Sequence, residues 1–310
     1  MGDELLGNII AAALERIRAN VERGTPYLAQ RLLEWMNSLY PDHSLHEYCT
    51  HPESFPLLLA PWWLEEALRQ KPDTSFQLDL IHSSMNMYYH IRLIDNLMDR
   101  DVPTDLALLP ALGFFHTEFQ RPYHRYFAHE HAFWDYFTSI WFHFSEVTML
   151  DRSMSEFDAL QFEKIAAQKM CFAKIPLAAV CYKYSRMDAL PAWSHFLERY
   201  GCWSHMLNDT FDWLKDLQNG AGTFFLSEAR RRKYPDESVT EWVIREGFEW
   251  AIETLQAWMS ELRTLANGLE NPAIVQHLDG RAAAFAERKD ISLEGLRNLA
   301  KLHDALNRNP

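Results

Sequence analysis

The chain has 310 residues, 48% of them hydrophobic and 14% aromatic, and carries a formal net charge of −13. That apolar content is enough to bury a large core, which excludes a disordered chain. Apart from Arg230-Arg231-Arg232-Lys233 there is no dense basic tract, so the electrostatic footprint of a nucleic-acid binder is absent and the acidity reads as solubility.

Apolar positions recur at helical spacing over residues 4–36 (Leu5, Leu6, Ile9, Ile10, Ala13, Leu14, Ile17), interrupted at Gly24-Thr25-Pro26. The stretch from Tyr40 to Pro61 holds four prolines and reads as loop, after which Trp62-Trp63 starts a new helix. A long helix is expected from Thr74 to Met98, stopped by Asp101-Val102-Pro103-Thr104. Further helices are expected from about Pro110, over 130–149, and over 155–183, where Pro176 implies a kink. After Pro191 a helix carries residues 208–216 and ends at Asn219-Gly220, and two more over 238–266 and 281–306 close the chain. There is no alternating strand pattern, repeat or low-complexity linker, so the expectation is one all-α domain over residues 1–310. The start of the chain has no basic region followed by an apolar run, and no uninterrupted apolar stretch reaches the ~18 residues of a membrane span, which points to a cytoplasmic protein without a transmembrane segment. Cys49, Cys171, Cys181 and Cys202 lack metal-binding spacing and read as free thiols in a reducing compartment, and the histidines form no zinc constellation.

Two acidic clusters carry the chemistry. Asn208, Asp212 and Asp216 lie at i, i+4 and i+8, and because each step of four turns a helix by only about 40°, all three oxygen-bearing side chains share one face. Asp95, Asn96 and Asp99 repeat the offsets of Asn208, Asp209 and Asp212 at the C-terminal end of the long helix, where the macrodipole disfavours carboxylates and a bound cation would offset the cost. Hard oxygens of this kind favour Mg²⁺, which is commonly shared between a few carboxylates and substrate phosphates. A solvated charged helix face is the plainer account of either cluster taken alone. Arg92, three residues before Asp95, would either donate to a diphosphate or pair with Asp95 or Asn96. Lys169 and Lys174 lie on an apolar helix where their ammonium groups would reach a pocket or snorkel to the surface. Arg231, Lys233 and Tyr234 would form a diphosphate-sensing lid or a basic helix end.

These motifs resemble those of the class I isoprenoid synthases, which comprise prenyl diphosphate synthases, terpene cyclases and squalene/phytoene synthases. Asp95-Asn96-Leu97-Met98-Asp99 is similar to the first Asp-Asp-x-x-Asp motif. Asn208-Asp209-Thr210-Phe211-Asp212 resembles the second, while Asn208, Asp212 and Asp216 match the spacing of the cyclases' Asn/Ser/Glu triad. The resemblance implies an α-helical bundle with a central active-site cavity, often homodimeric, in which Asp95, Asp99, Asn208, Asp212 and Asp216 hold three Mg²⁺ ions that bind a prenyl diphosphate. Ionisation then leaves a carbocation among aromatic walls, for which Phe114, Phe115, Phe119, Trp141, Phe142, Phe172 and Trp203 are candidates. The Gly-Gly-Lys-Arg-x-Arg-Pro patch that binds a second substrate in elongating enzymes has no counterpart before residue 90. The expected activity is therefore a one-substrate terpene synthase acting on farnesyl or geranylgeranyl diphosphate. The alternatives are a prenyltransferase, elongating or head-to-head, and a non-catalytic helical lipid-binding protein.

Overall fold

The computed structural model describes residues 2–40, 47, 51, 54–99 and 105–308, the side chains of 2, 3, 99 and 299–308 excepted. Every regular element among the described residues is helical, and the chain divides into two compact units, Met1–Phe137 with Ile175–Leu190, and Thr138–Lys174 with Pro191–Pro310.

In the first unit, α1 (Gly2–Gly24) and α2 (Ala29–Ser38) are separated where Gly24-Thr25-Pro26 predicts a break. One stripe of α1, Leu6, Ile9, Ile10, Ala13, Ile17 and Val21, is buried, as an amphipathic helix at a 3.6-residue period requires. Helix α3 (Leu59–Arg69) begins three residues before the expected Trp62, because Pro61 falls in the first turn, where its missing N–H costs nothing. Helix α4 (Thr74–Asp99) runs the predicted length. Asp73 opens it, its Oδ1 accepting the amides of Ser75 and Phe76 at 3.1 Å each. Helix α5 (Ala111–Gln120) packs along α4.

Helix α4 is buried through most of its length and brings polar groups with it. Asp79, 3% exposed, accepts from Arg16 (2.7 Å), Arg125 (2.9 Å) and the Tyr126 hydroxyl (2.9 Å). Buried Glu65 accepts from the Asp73 amide, Gln77 Nε2 and the Tyr184 hydroxyl. The Lys183 ammonium pairs with Asp73 at 2.8 Å and lies 3.9 Å from the centre of the Phe76 ring. These networks tie α3, α4 and the 175–190 segment together, since a buried charge is tolerated only when paired.

In the second unit, α6 (Phe133–Ser153, beginning in the first unit) is followed by α7 (Ala159–Lys169), opened by a capping box between Asp158 and Gln161. The single helix expected over 155–183 is interrupted at Met170 by a 3₁₀ turn (Cys171–Ala173), and α8 (Lys174–Lys183), which belongs to the first unit from Ile175 onward, starts afresh. Pro176 therefore sits in a first turn and produces no kink. Next come α9 (Leu190–Phe211), α10 (Trp213–Asn219), α11 (Phe224–Arg232) and α12 (Val239–Trp242). A π turn over Val243–Gly247 leads into α13 (Phe248–Asn267), and α14 (Pro272–Arg308) closes the chain. Gly220, at φ 68°, ends α10 in the left-handed conformation that glycine adopts without strain. Among the described residues no helix is long and apolar enough to cross a membrane.

Burial of imidazoles makes stability pH-dependent. Burial holds His82 and His205 neutral down to about 3 and His277 to about 4, whereas in the unfolded chain each takes up a proton near 6.5. Their contribution is complete above that value and is lost as pH falls toward the folded values. Asp209, raised by burial to about 7, works in the opposite sense. With three imidazoles against one carboxyl, stability should fall by roughly 1–3 kcal/mol per pH unit between 6.5 and 5. Urea melts across that range test this, and a flat profile would contradict it.

Candidate functional site

The helix bearing the second acidic cluster does not run straight through. Asp212, at φ −100° and ψ 6°, interrupts it between α9 and α10. The hydrogen-bond ladder nevertheless continues across the break, with Asp212 N–H donating to the Asn208 carbonyl at 2.9 Å and Asp216 N–H to the Asp212 carbonyl at 3.0 Å. The i, i+4, i+8 relation of the three oxygen-bearing residues is thus kept in the backbone. Asn208 and Asp212 are exposed and Asp216 partly so, while Leu207 and Trp213 on neighbouring positions are buried. Leu214 is 48% exposed, since α10 is a short helix with Trp213 its buried residue.

Two basic residues stand beside the stripe. Lys169 Nζ pairs with Asp151 at 2.7 Å, and its charge is close enough to lower the pKa of both Asp209 and His205. Arg288 of α14 places Nη2 3.6 Å from Asp212 Oδ1 and its guanidinium 4.3 Å above the Phe211 ring. The sequence singles out Lys169 but not Arg288, which is separated from Asp212 by four whole helices and part of a fifth and has no motif around it.

Asp209 is the other residue that spacing undervalues. Its Oδ2 accepts the Phe224 amide at 3.0 Å, pinning the N-terminus of α11 against α9. Burial raises its pKa to about 7, with Asp216 adding to the rise and the Phe224 amide and Lys169 opposing it. Asp209 and His205 both keep some contact with solvent although burial dominates their protonation. Gly222 belongs to the same corner. A Cβ there would come within 2.7 Å of the Met154 and Ser155 carbonyl oxygens, so only glycine lets the 220–223 turn lie against the loop before α7.

The other expected site residues fall elsewhere. Lys174 is buried and paired with Glu198, in place of an ammonium snorkelling to solvent. Arg231 bonds Glu228 and the Phe157 carbonyl. Lys233 donates to the Glu237 carbonyl at 2.7 Å, and Tyr234 lies 63% exposed beneath Arg245. These last three secure the basic end of α11 and the turn after it. Of the aromatic candidates, Phe115, Phe119 and Trp203 are fully buried, whereas Phe142 is 65% exposed.

The first cluster lies in the other unit, at the end of α4. Asp95 is partly exposed, Asn96 is buried, and Arg92 Nη1 stands 4.0 Å from Asp95 Oδ2, the pairing distance expected one turn apart. The Asp99 side chain and residues 101–104 lie outside the described residues.

Among the described residues, no three His, Cys, Asp or Glu side chains stand close enough to hold an ion unaided. The stripe supplies two carboxylates and one amide oxygen. That donor set suits a hard divalent ion that keeps several water or phosphate oxygens in its shell, which is the habit of Mg²⁺. No protein-family model matches the chain, and no curated protein matches it in sequence.

Proposed function

We propose that the protein is a class I terpene synthase that ionises one linear allylic prenyl diphosphate, farnesyl or geranylgeranyl, and releases a terpene and diphosphate. The observation that carries the reading is the pair of i→i+4 backbone hydrogen bonds that links Asn208, Asp212 and Asp216 across the helix break and keeps three hard oxygen donors on successive turns, with the cations Lys169 and Arg288 nearby. Asn208, Asp212 and Asp216 in the second unit, and Asp95 and Asp99 in the first, are each candidates to hold Mg²⁺ (three ions by analogy), which when bound would neutralise the charge that develops on a departing diphosphate. Lys169 is already held by Asp151 at 2.7 Å, so its side chain is oriented before an anion arrives and loses little freedom on meeting it.

Binding can be checked without turnover. Mg²⁺ and inorganic diphosphate added together should raise the melting temperature well beyond the sum of their separate effects, because each ligand completes the other's site. An equal rise from Mg²⁺ alone would indicate a structural cation. The one-substrate character predicts that labelled isopentenyl diphosphate is not consumed. Its incorporation into a longer, still phosphorylated chain would replace this reading with that of a chain-elongating prenyltransferase.

A further inference from the structure

Four arginines of the first unit meet around two buried carboxylates, on a chain whose net charge is −13. Arg16, Asn20 and Arg23 lie at i, i+4 and i+7 and share one face of α1. Arg121 and Arg125 belong to the 3₁₀ segment Arg121–Arg125 that follows α5. Asp79 gives one oxygen, Oδ1, to two guanidiniums, Arg16 at 2.7 Å and Arg125 at 2.9 Å. Glu118, equally buried, holds Arg121 on Oε1 at 2.7 Å and the Asn20 amide on Oε2 at 2.9 Å, and the Asn20 oxygen accepts from Arg23 at 2.8 Å. The bonds close a ring that runs from Arg16 through Asp79 to Arg125, and back through Arg121 and Glu118 to Asn20. After burial itself, the charges of Arg16, Arg125 and Arg121 act together to keep the His82 ring neutral, with Asp79 opposing them. One cation per carboxylate would satisfy the buried acids. Glu15 and Glu22 stand about 100° around α1 from Arg16 and Arg23 and, among the described residues, form no ion pair with them. Four guanidiniums against two carboxylates therefore leave an excess of positive charge, and it is accessible: the Arg121 and Arg125 side chains are each 54% exposed, and Arg23 is exposed as well.

We propose that this arginine ring is a binding site for a phosphate dianion, either free or as the terminal group of a phosphate ester. Each guanidinium is anchored through a single terminal nitrogen, Nη1 in Arg16, Arg121 and Arg125 and Nη2 in Arg23. The remaining donors of these exposed forks are held in place before a ligand arrives, and a guanidinium fork matches two phosphate oxygens at once. A dianion neutralises the two surplus charges, where a carboxylate would neutralise one. An extended polyanion such as nucleic acid would meet the acidic remainder of the chain and be repelled. Asp79 precedes Asp95 by sixteen residues on α4, about 24 Å along the helix, so the ring is separate from the first acidic cluster. The proposal does not rest on the terpene-synthase reading.

The experiment titrates the full chain with inorganic phosphate, phenyl phosphate, acetate and a glutamate-rich peptide at constant ionic strength, with EDTA present so that the acidic clusters hold no metal. Binding is read by calorimetry, and folding by the melting temperature. Wild type is compared with Arg23→Gln, Arg125→Gln, the double variant and a control on the same helix, Arg18→Gln, whose arginine bonds Asn37 outside the ring. Arg125→Gln leaves Asp79 with Arg16 and Tyr126. Arg23→Gln touches no buried carboxylate, so it stays informative if the other variant is unstable. Wild type should bind phosphate saturably and at least tenfold more tightly than acetate. Each single variant should weaken phosphate binding by about threefold or more and the double variant by about tenfold or more, while Arg18→Gln stays within about twofold of wild type. Phenyl phosphate binding more tightly than inorganic phosphate would identify an ester as the ligand, and the reverse would identify the free ion. No saturable binding of either by folded wild type, or wild-type affinity in both single variants, would overturn the proposal. Tighter binding of the peptide than of phosphate would overturn it in favour of an acidic protein partner.

Discussion

Replacing Asp212 by alanine should lower diphosphate release from a prenyl diphosphate by a factor of about 100 or more and leave the fold intact. The two halves of that expectation have separate grounds. The Asp212 carboxylate is 54% exposed, makes no cap bond to the helix it precedes, and meets Arg288 only at 3.6 Å. An exposed pair of this kind contributes about 1 kcal/mol at most, so the melting temperature should move by a few degrees or less. Function depends on it far more, because it is the middle of three donors and without it Asn208 and Asp216 are two turns apart. Asp95→Ala should behave in the same way. Near-normal turnover of either variant at saturating Mg²⁺ would remove the metal assignment.

Gly247→Ala should do the reverse and damage the fold itself. A Cβ on Gly247 would stand 2.2 Å from Trp242 Cζ3 and 2.4 Å from Cε3. Trp242 has no freedom to retreat, since it is fully buried, its Nε1 donates to Glu246 Oε1 at 2.8 Å, and its ring packs near Phe225 and Trp250. The π turn over Val243–Gly247 is what brings the glycine over the indole. A destabilisation of about 4 kcal/mol or more is expected, the scale of severe overpacking in a core. Gly113→Ala, in helix α5 with nothing within 4 Å of the added Cβ, should instead be neutral or stabilise by about 0.5–1 kcal/mol. Urea melts of the two variants side by side test the contrast, and equal stabilities would refute it.

Local signals were legible in the sequence wherever the backbone alone decides. The break at Gly24-Thr25-Pro26, the run of α4 from Thr74, and the end of α10 at Gly220 all follow from residues that lack a donor, cap a helix or accept positive φ. The 3₁₀ interruption at Cys171–Ala173 and the π turn before α13 were not legible, because packing imposes them: Cys171, Phe172 and Trp242 must all reach the interior, and a regular helix would not turn them there. The candidate site divides in the same way. Periodicity shows that Asn208, Asp212 and Asp216 share a face. It is silent on Arg288 at Asp212 and on the Phe224 amide at Asp209, contacts made by residues remote in the chain. It also gives equal weight to Lys169 and Lys174, which the structure separates, one acting on Asp209 and the other buried against Glu198.

Release of inorganic diphosphate reports directly on ionisation of a prenyl diphosphate by this chain. Purified protein would be incubated with Mg²⁺ and, in turn, geranyl, farnesyl and geranylgeranyl diphosphate, with and without isopentenyl diphosphate, and with EDTA as the metal-free arm. The expected result is Mg²⁺-dependent diphosphate release matched by a phosphate-free terpene that partitions into an organic overlay, indifferent to isopentenyl diphosphate and absent with EDTA or in Asp212→Ala. Intact substrate in every arm, with protein shown to be folded, would contradict it.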